Sequence, residues 1–266
     1  ETPIVLTNTL NVGTAIEGVV AYTLAQPGNE KVVSVNAVVG ETNDSGLNDI
    51  RGMHVRRQDV LAAIQSAKDG VVAEGSVGAG TGTVCFGWKG GIGTSSRKAP
   101  ERFGGYTVGV LVQTNFGGIL TMGGAPVGQR MGKYAYGSGD GSCVIVVATD
   151  APLTARDLKR LAARAVFGLA RTGSSYSNGS GDYAVAVSTA SSVRIKASAE
   201  PVTYSVLTTD QTSPLFEMAL EAVEEAVYNS LLQATTVRSK FGTVEAIPIE
   251  PLRQILQEYG IGKKMP

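Results

Sequence analysis

Apolar residues recur along this chain at two different periods, and the periods separate strands from helices. Short β-rich runs at residues 32–39, 83–86, 106–113, 143–148 and 183–188, several apolar on both faces, predict buried strands. Leu158, Leu161, Ala162, Ala165 and Leu169 recur at spacings of three and four, which predicts a helix over 154–170 with Thr154 and Asp157 forming its N-terminal cap. A second helix is predicted over 214–233, with Pro214 in its first turn and Leu215, Ala219, Leu220, Val223, Val227 and Leu231 on one stripe. A third runs over 251–259 and stops at Gly260. No regular strand-helix alternation supports a doubly wound parallel sheet. A layered α+β sandwich fits the order better, with helices flanking a strand-rich middle.

Composition narrows the function classes. The 266 residues are 43% apolar, ample for a buried core in one large domain or two small ones. Lys plus Arg and Asp plus Glu number 23 each, so no net field favours nucleic acid or an anionic membrane surface. No apolar run reaches the roughly 18 residues that a membrane span needs. Two cysteines, Cys85 and Cys143, with the single His54 are too few for a disulfide framework or a zinc site. No cofactor is expected, and no nucleic-acid or membrane partner. The chain opens on Glu1, so its encoded start and any export signal are out of view. A cytoplasmic location is the expectation, with the periplasm as the alternative.

Three features invite a chemical reading. Gly75, Gly78, Gly80 and Gly82 resemble a phosphate loop, yet no Gly-Lys-Ser/Thr follows, and the order is loop then strand. They read as a tight turn beside a core strand. His54 is the sole histidine and sits among Arg51, Arg56 and Arg57, whose charge opposes the imidazolium that a general base must become. A surface role suits it better, so a serine nucleophile here needs another base. Finally, the stretch Gly137-Ser138-Gly139-Asp140-Gly141-Ser142 ends where an apolar strand begins. Attack of the Ser142 hydroxyl on the Gly141 carbonyl, followed by hydrolysis of the ester, would leave Ser142 with a free α-amine. Such an amine has an ordinary pKa of about 7.7 to 8.0 and can act as the missing base. Gly-Ser pairs at strand starts are common, and a purely structural reading stands beside this one.

A resemblance supports the chemical reading. Gly141-Ser142 followed by Val144 to Pro152, then Leu169-Ala170-Arg171-Thr172-Gly173, are similar to the L-aminopeptidase D-amidase/esterase family, which includes the β-peptidyl aminopeptidases. Val38-Val39-Gly40-Glu41-Thr42, Leu47-Asn48-Asp49-Ile50, Lys89 to Arg97 and Tyr106 to Gln113 match as well, so the resemblance spans nearly the whole chain.

That resemblance implies one domain over residues 1–266, a four-layer αββα sandwich like that of N-terminal-nucleophile hydrolases with different strand connectivity. It implies self-cleavage between Gly141 and Ser142 into segments 1–141 and 142–266, with Ser142 as nucleophile. By the same resemblance Ser180 and Asp182 contact the nucleophile, Asn115 donates to the oxyanion, and Glu41 binds the free amine of a small peptide, amide or ester. The family usually has a tyrosine two residues after that glutamate, where this chain has Asn43. Its larger subunit also begins well before the segment matching Glu1, and its αβ units form homo-oligomers. The expected activity is release of N-terminal β-amino, D- or L-residues. An acyl transferase with the same nucleophile and an inactive oligomeric scaffold are the alternatives, along with Cys143 as nucleophile for a cut one residue later.

Overall fold

A computed structural model describes residues 2–134, 141–195 and 200–262. In chain order its elements are β1 (Ile4–Asn8), α1 (Val12–Leu24), β2 (Val38–Thr42), α2 (Arg57–Ser66), β3 (Val84–Cys85), β4 (Trp88–Lys89), β5 (Ile92–Lys98), β6 (Thr107–Asn115), α3 (Val127–Arg130), β7 (Ser142–Thr149), α4 (Ala155–Arg171), β8 (Gly181–Ser188), α5 (Ser213–Leu232), β9 (Val237–Ser239), β10 (Gly242–Val244) and α6 (Ile249–Glu258). Short 3₁₀ turns join several of them.

The main sheet has the order β5-β6-β7-β8, antiparallel except for the parallel β7–β8 pair. Alternate residues of a strand face opposite sides, and here both sides are covered. Cys143, Ile145 and Val147 point into the principal core with Leu161, Ala165 and Leu169 of α4 and Leu215, Ala219, Val223 and Val227 of α5. Burying a leucine or valine side chain in this way is worth about 1.5 to 3 kcal/mol each, which is what holds the two helices to the sheet. The Thr154 hydroxyl accepts the Asp157 N–H at 3.2 Å and caps α4 as the sequence predicts.

The other side of the sheet carries a parallel ribbon, β1 with β2, and α1 and α2 lie beyond it. The layers are therefore α4/α5, main sheet, β1/β2 ribbon and α1/α2, an αββα order. Gly40 of β2 is where the two sheets come closest: a Cβ there would lie 2.7 Å from Val144 Cγ1. Gln113 ties the same faces by polar contact, its Nε2 donating to Thr42 Oγ1 at 2.7 Å and to the Thr7 carbonyl at 3.2 Å.

Three sequence expectations need correction. The apolar run at 32–39 forms a strand only from Val38; Val33 is 98% exposed, because β1 pairs with β2 over Val38–Thr42 and nothing pairs with the residues before it. The run at 83–86 shortens to Val84–Cys85. The run at 183–188 is a strand but not a buried one: β8 lies at the sheet edge, so its residues stay half-buried and Tyr183 is exposed. The glycine turn at 75–82 is structural as expected: a Cβ on Gly80 would lie 2.6 Å from the Ile92 nitrogen of β5.

Candidate active site

Three strand ends meet at one rung of the main sheet. Asn115 is the last residue of β6, Ser142 the first of β7 and Gly181 the first of β8, and the register pairs Ser142 with both neighbours. Cys143 faces the helices, so Ser142, one residue earlier, faces the β1/β2 ribbon, as Val144 does beneath Gly40. Cross-strand partners share a face, so Asn115 and Ser142 project to the same side. Ser142 is half-buried, open enough to meet a substrate. Residues 135–140 of the glycine-rich approach lie outside the described residues.

The Asn115 amide has a set orientation. Its Oδ1 accepts the Val84 backbone N–H at 2.9 Å, and its Nδ2 donates to the Asn43 carbonyl at 2.9 Å. A backbone N–H can only donate, so the amide oxygen faces Val84 and the nitrogen faces the Asn43 carbonyl. One of the two Nδ2 hydrogens is spent on Asn43. The second has no acceptor among the described residues.

On the β8 side, the Ser180 hydroxyl donates to Asp182 Oδ2 at 3.1 Å, while Oδ1 of the same carboxylate is buried with no hydrogen-bond partner among the described residues. Burial pushes the Asp182 carboxyl up, with the Ser180 hydroxyl and the Cys143 backbone N–H opposing. A half-satisfied buried carboxylate of this kind favours a nearby cation. Asp182 pairs with Cys143 in the ladder, so its side chain shares the helix-side face with Cys143, opposite the face that the Ser142 side chain takes, and the structure does not bring the carboxylate onto the Ser142 hydroxyl. Tyr176 flanks the acid and adopts φ +46°; burial first, and then the Asp182 charge, push its phenol up to about 12. Sequence reasoning missed Tyr176, and only its left-handed backbone marks it out.

Cys143 is fully buried, and its thiol is pushed well above the ordinary value, by burial first and then by the Asp182 charge. A buried neutral thiol is a poor nucleophile. The geometry therefore favours Ser142 over Cys143.

Glu41 and Asn43 stand differently. Gly40 and Thr42 face the main sheet, so alternation along β2 turns Glu41 the other way, where its half-buried carboxylate accepts the Thr9 hydroxyl. Thr9 was not visible from the sequence as a partner. The Asn43 side chain is exposed, and its Oδ1 accepts the Ser45 N–H at 3.1 Å in a local turn. Asn43 meets the site through its backbone carbonyl, which holds Asn115. A cavity of about 430 Å³ lies nearby, among β1, α2 and the turns at 44–48 and 78–82, but none of Ser142, Asn115, Ser180, Asp182 and Glu41 lines it. His54 sits at the rim of that cavity, exposed and 3.3 Å from Asp49, away from the serine as expected. No group of three or more His, Cys, Asp or Glu among the described residues is arranged to hold a metal ion.

The αββα layers, with a serine opening a central strand beside an oriented amide, define the class of N-terminal-nucleophile-like hydrolases. The model of peptidase family S58 matches residues 1–244, and the chain belongs to that family. It is 42% identical over 278 aligned residues to a β-peptidyl aminopeptidase, BapA, of Sphingosinicella microcystinivorans, covering 97% of this chain and 69% of that protein. A β-aminopeptidase of a Burkholderia species superposes with a TM-score of 0.90 at 39% identity, over 99% of this chain and 75% of that one. The L-aminopeptidase D-Ala-esterase/amidase of Ochrobactrum anthropi, described as a variant of the Ntn-hydrolase fold, gives 0.88 at 37% identity, over 96% and 73%. The chain is thus a hydrolase of family S58. No helix among its described residues is long and apolar enough to cross a membrane.

Proposed function

We propose that this chain cuts itself between Gly141 and Ser142 and then works as a serine aminopeptidase, releasing N-terminal residues, β-amino acids included, from small peptides, amides or esters. The observation that carries this reading is the shared rung: Ser142 opens β7 directly opposite Asn115 on one face of the sheet, and the Asn115 amide is fixed there by Val84 and Asn43. After the cut, the Ser142 α-amine takes the hydroxyl proton, and the hydroxyl attacks the substrate carbonyl. The free Nδ2 hydrogen of Asn115 meets the oxygen as it becomes negative. Ser180 and Asp182 receive the protonated amine, whose charge answers the unpaired Asp182 Oδ1. For Glu41 to pair with the substrate ammonium, the amine must reach around β2 to the face where Thr9 holds the carboxylate.

The kinship to proteins named β-peptidyl aminopeptidases supports β-amino substrates. The reading also includes association of cleaved αβ units into a homo-oligomer, checked by light scattering, and a cytoplasmic location, checked by fractionation. Its deciding experiment is a release assay over L-, D- and β-aminoacyl p-nitroanilides, run beside N-acetylated versions. Turnover of free-amine substrates alone supports the proposal; equal turnover of blocked ones would refute the aminopeptidase mode.

A further inference from the structure

One contact of the uncut chain falls on the bond that is to break. The Gly141 carbonyl oxygen accepts the Gly181 backbone N–H at 2.9 Å. The β7–β8 register begins at Ser142 and Gly181, so this bond carries the ladder onto the residue before the strand. From the other side β6 presses on the same residue: a Cβ on Gly141 would fall on the Asn115 carbonyl oxygen and 2.7 Å from Phe116 Cα. Only glycine fits there, and the scissile carbonyl is held between β6 and β8 with its oxygen on a donor.

We propose that the Gly181 backbone N–H is the oxyanion donor for self-cleavage, a task separate from that of Asn115 on external substrates. The inference rests on the cut at Gly141–Ser142 proposed above. In the first step the Ser142 oxygen bonds to the Gly141 carbonyl carbon, and the carbonyl oxygen takes the electron pair as O⁻ against the Gly181 N–H. The carbon–nitrogen bond then breaks, the Ser142 nitrogen takes the proton that the hydroxyl gave up, and an ester remains. Water adds to the ester carbonyl, again placing O⁻ on the same donor, and collapse releases the Gly141 carboxylate and the Ser142 hydroxyl. A hydrogen bond already formed in the ground state needs no reorganisation, and it strengthens as its acceptor becomes charged. Gly181 opens an edge strand, where its N–H is committed to this one carbonyl.

The test compares two substitutions in the full chain. Gly181→Pro deletes the N–H at the first residue of an edge strand, a position that tolerates proline. Gly181→Ala keeps the N–H and adds a methyl 3.1 Å from the exposed Tyr183 ring, which can swing away. The Ser142 terminus is timed by mass spectrometry after synthesis, and folding is compared by melting each substitution in a Ser142→Ala background. The proline chain is expected to process about 10²-fold more slowly than the alanine chain, the loss typical of one oxyanion donor. Equal processing times in folded chains overturn the inference. Should the proline chain not fold, hydrogen exchange of the Gly181 amide in full-length Ser142→Ala decides: protection supports the bond, and exchange as fast as an open loop amide overturns it. A wild-type chain that is never cut sinks the self-processing proposal itself, a result distinct from both.

Discussion

Replacing Asn115 by alanine separates the chemistry of the site from its scaffolding, because the structure assigns the amide to both. The substitution strands the Val84 N–H and the Asn43 carbonyl, each 2.9 Å from the amide. An unsatisfied buried group costs about 1 to 3 kcal/mol. Val84 is half-buried and Asn43 exposed, so water reaches both and the low end applies, giving about 2 kcal/mol in total. In a domain of this size that lowers the melting point by roughly 4 to 8 °C. The chemical loss is of another kind. Removing one oxyanion donor raises the barrier by about 2.7 to 4 kcal/mol, a fall in kcat of about 10²- to 10³-fold, while KM changes less because the oxyanion exists only in the tetrahedral state. Asn115→Asp sharpens the contrast: it keeps an oxygen for the Val84 N–H and loses both N–H donors. The assay is kcat and KM on a β-aminoacyl p-nitroanilide, corrected for the fraction of chain carrying a Ser142 terminus, beside a thermal melt. A processed Asn115→Ala enzyme with near wild-type kcat and a lowered melting point would show that Asn115 is a structural turn residue.

Other outcomes follow from the same geometry. Terminal sequencing of the active protein should find a fragment beginning at Ser142, and Ser142→Ala should leave the chain whole and inactive; a fragment beginning at Cys143 would move the nucleophile. Glu41→Gln should lower kcat/KM by about ten- to a hundredfold, the value of one charge-assisted hydrogen bond, and an unchanged ratio for free-amine over acetylated substrates would remove Glu41 from amine binding. Burial raises the Asp182 carboxyl, so the stability tied to its neutral form is full below the unfolded value near 3.9 and is lost as pH rises through the folded value. In the uncut Ser142→Ala chain, Asp182→Asn should therefore raise the melting point at pH 7 relative to pH 4, while the same change in the processed enzyme slows turnover; a lowered melting point at pH 7 would contradict an uncompensated carboxylate. Alkylating reagents at neutral pH should spare activity, since Cys85 and Cys143 are both fully buried with raised thiols, and rapid inactivation would reopen the case for Cys143.

The sequence by itself determined the elements whose own residues carry a full periodic signal. The two core helices and the strands β6 and β7 were readable because each buries a long regular stripe, and periodicity reports burial directly, while β8 was readable from its β-rich run although it is only half-buried. It also showed Ser142 at the junction of loop and strand. What it lacked were elements whose apolar faces are short or built from small residues. In β5 the sequence Ile92-Gly93-Thr94-Ser95-Ser96-Arg97-Lys98 is mostly polar, yet it is a strand because β6 pairs with it and α5 packs on it. Conversely, Val33 belongs to an apolar run and stays exposed, because strand formation depends on a partner that only the folded chain provides. The site divides in the same way. Residue types at Asn115, Ser142, Ser180 and Asp182 could be read one at a time, but that Asn115 stands opposite Ser142 while Asp182 stands beside Cys143 depends on the antiparallel register of β6 with β7 and the parallel register of β7 with β8. Register comes from how whole faces pack, with Val144 under Gly40 and Gln113 under Thr42. The orientation of the Asn115 amide and the Gly181 N–H on the Gly141 carbonyl are decided by backbone groups, which every residue carries alike, so only tertiary structure could reveal them.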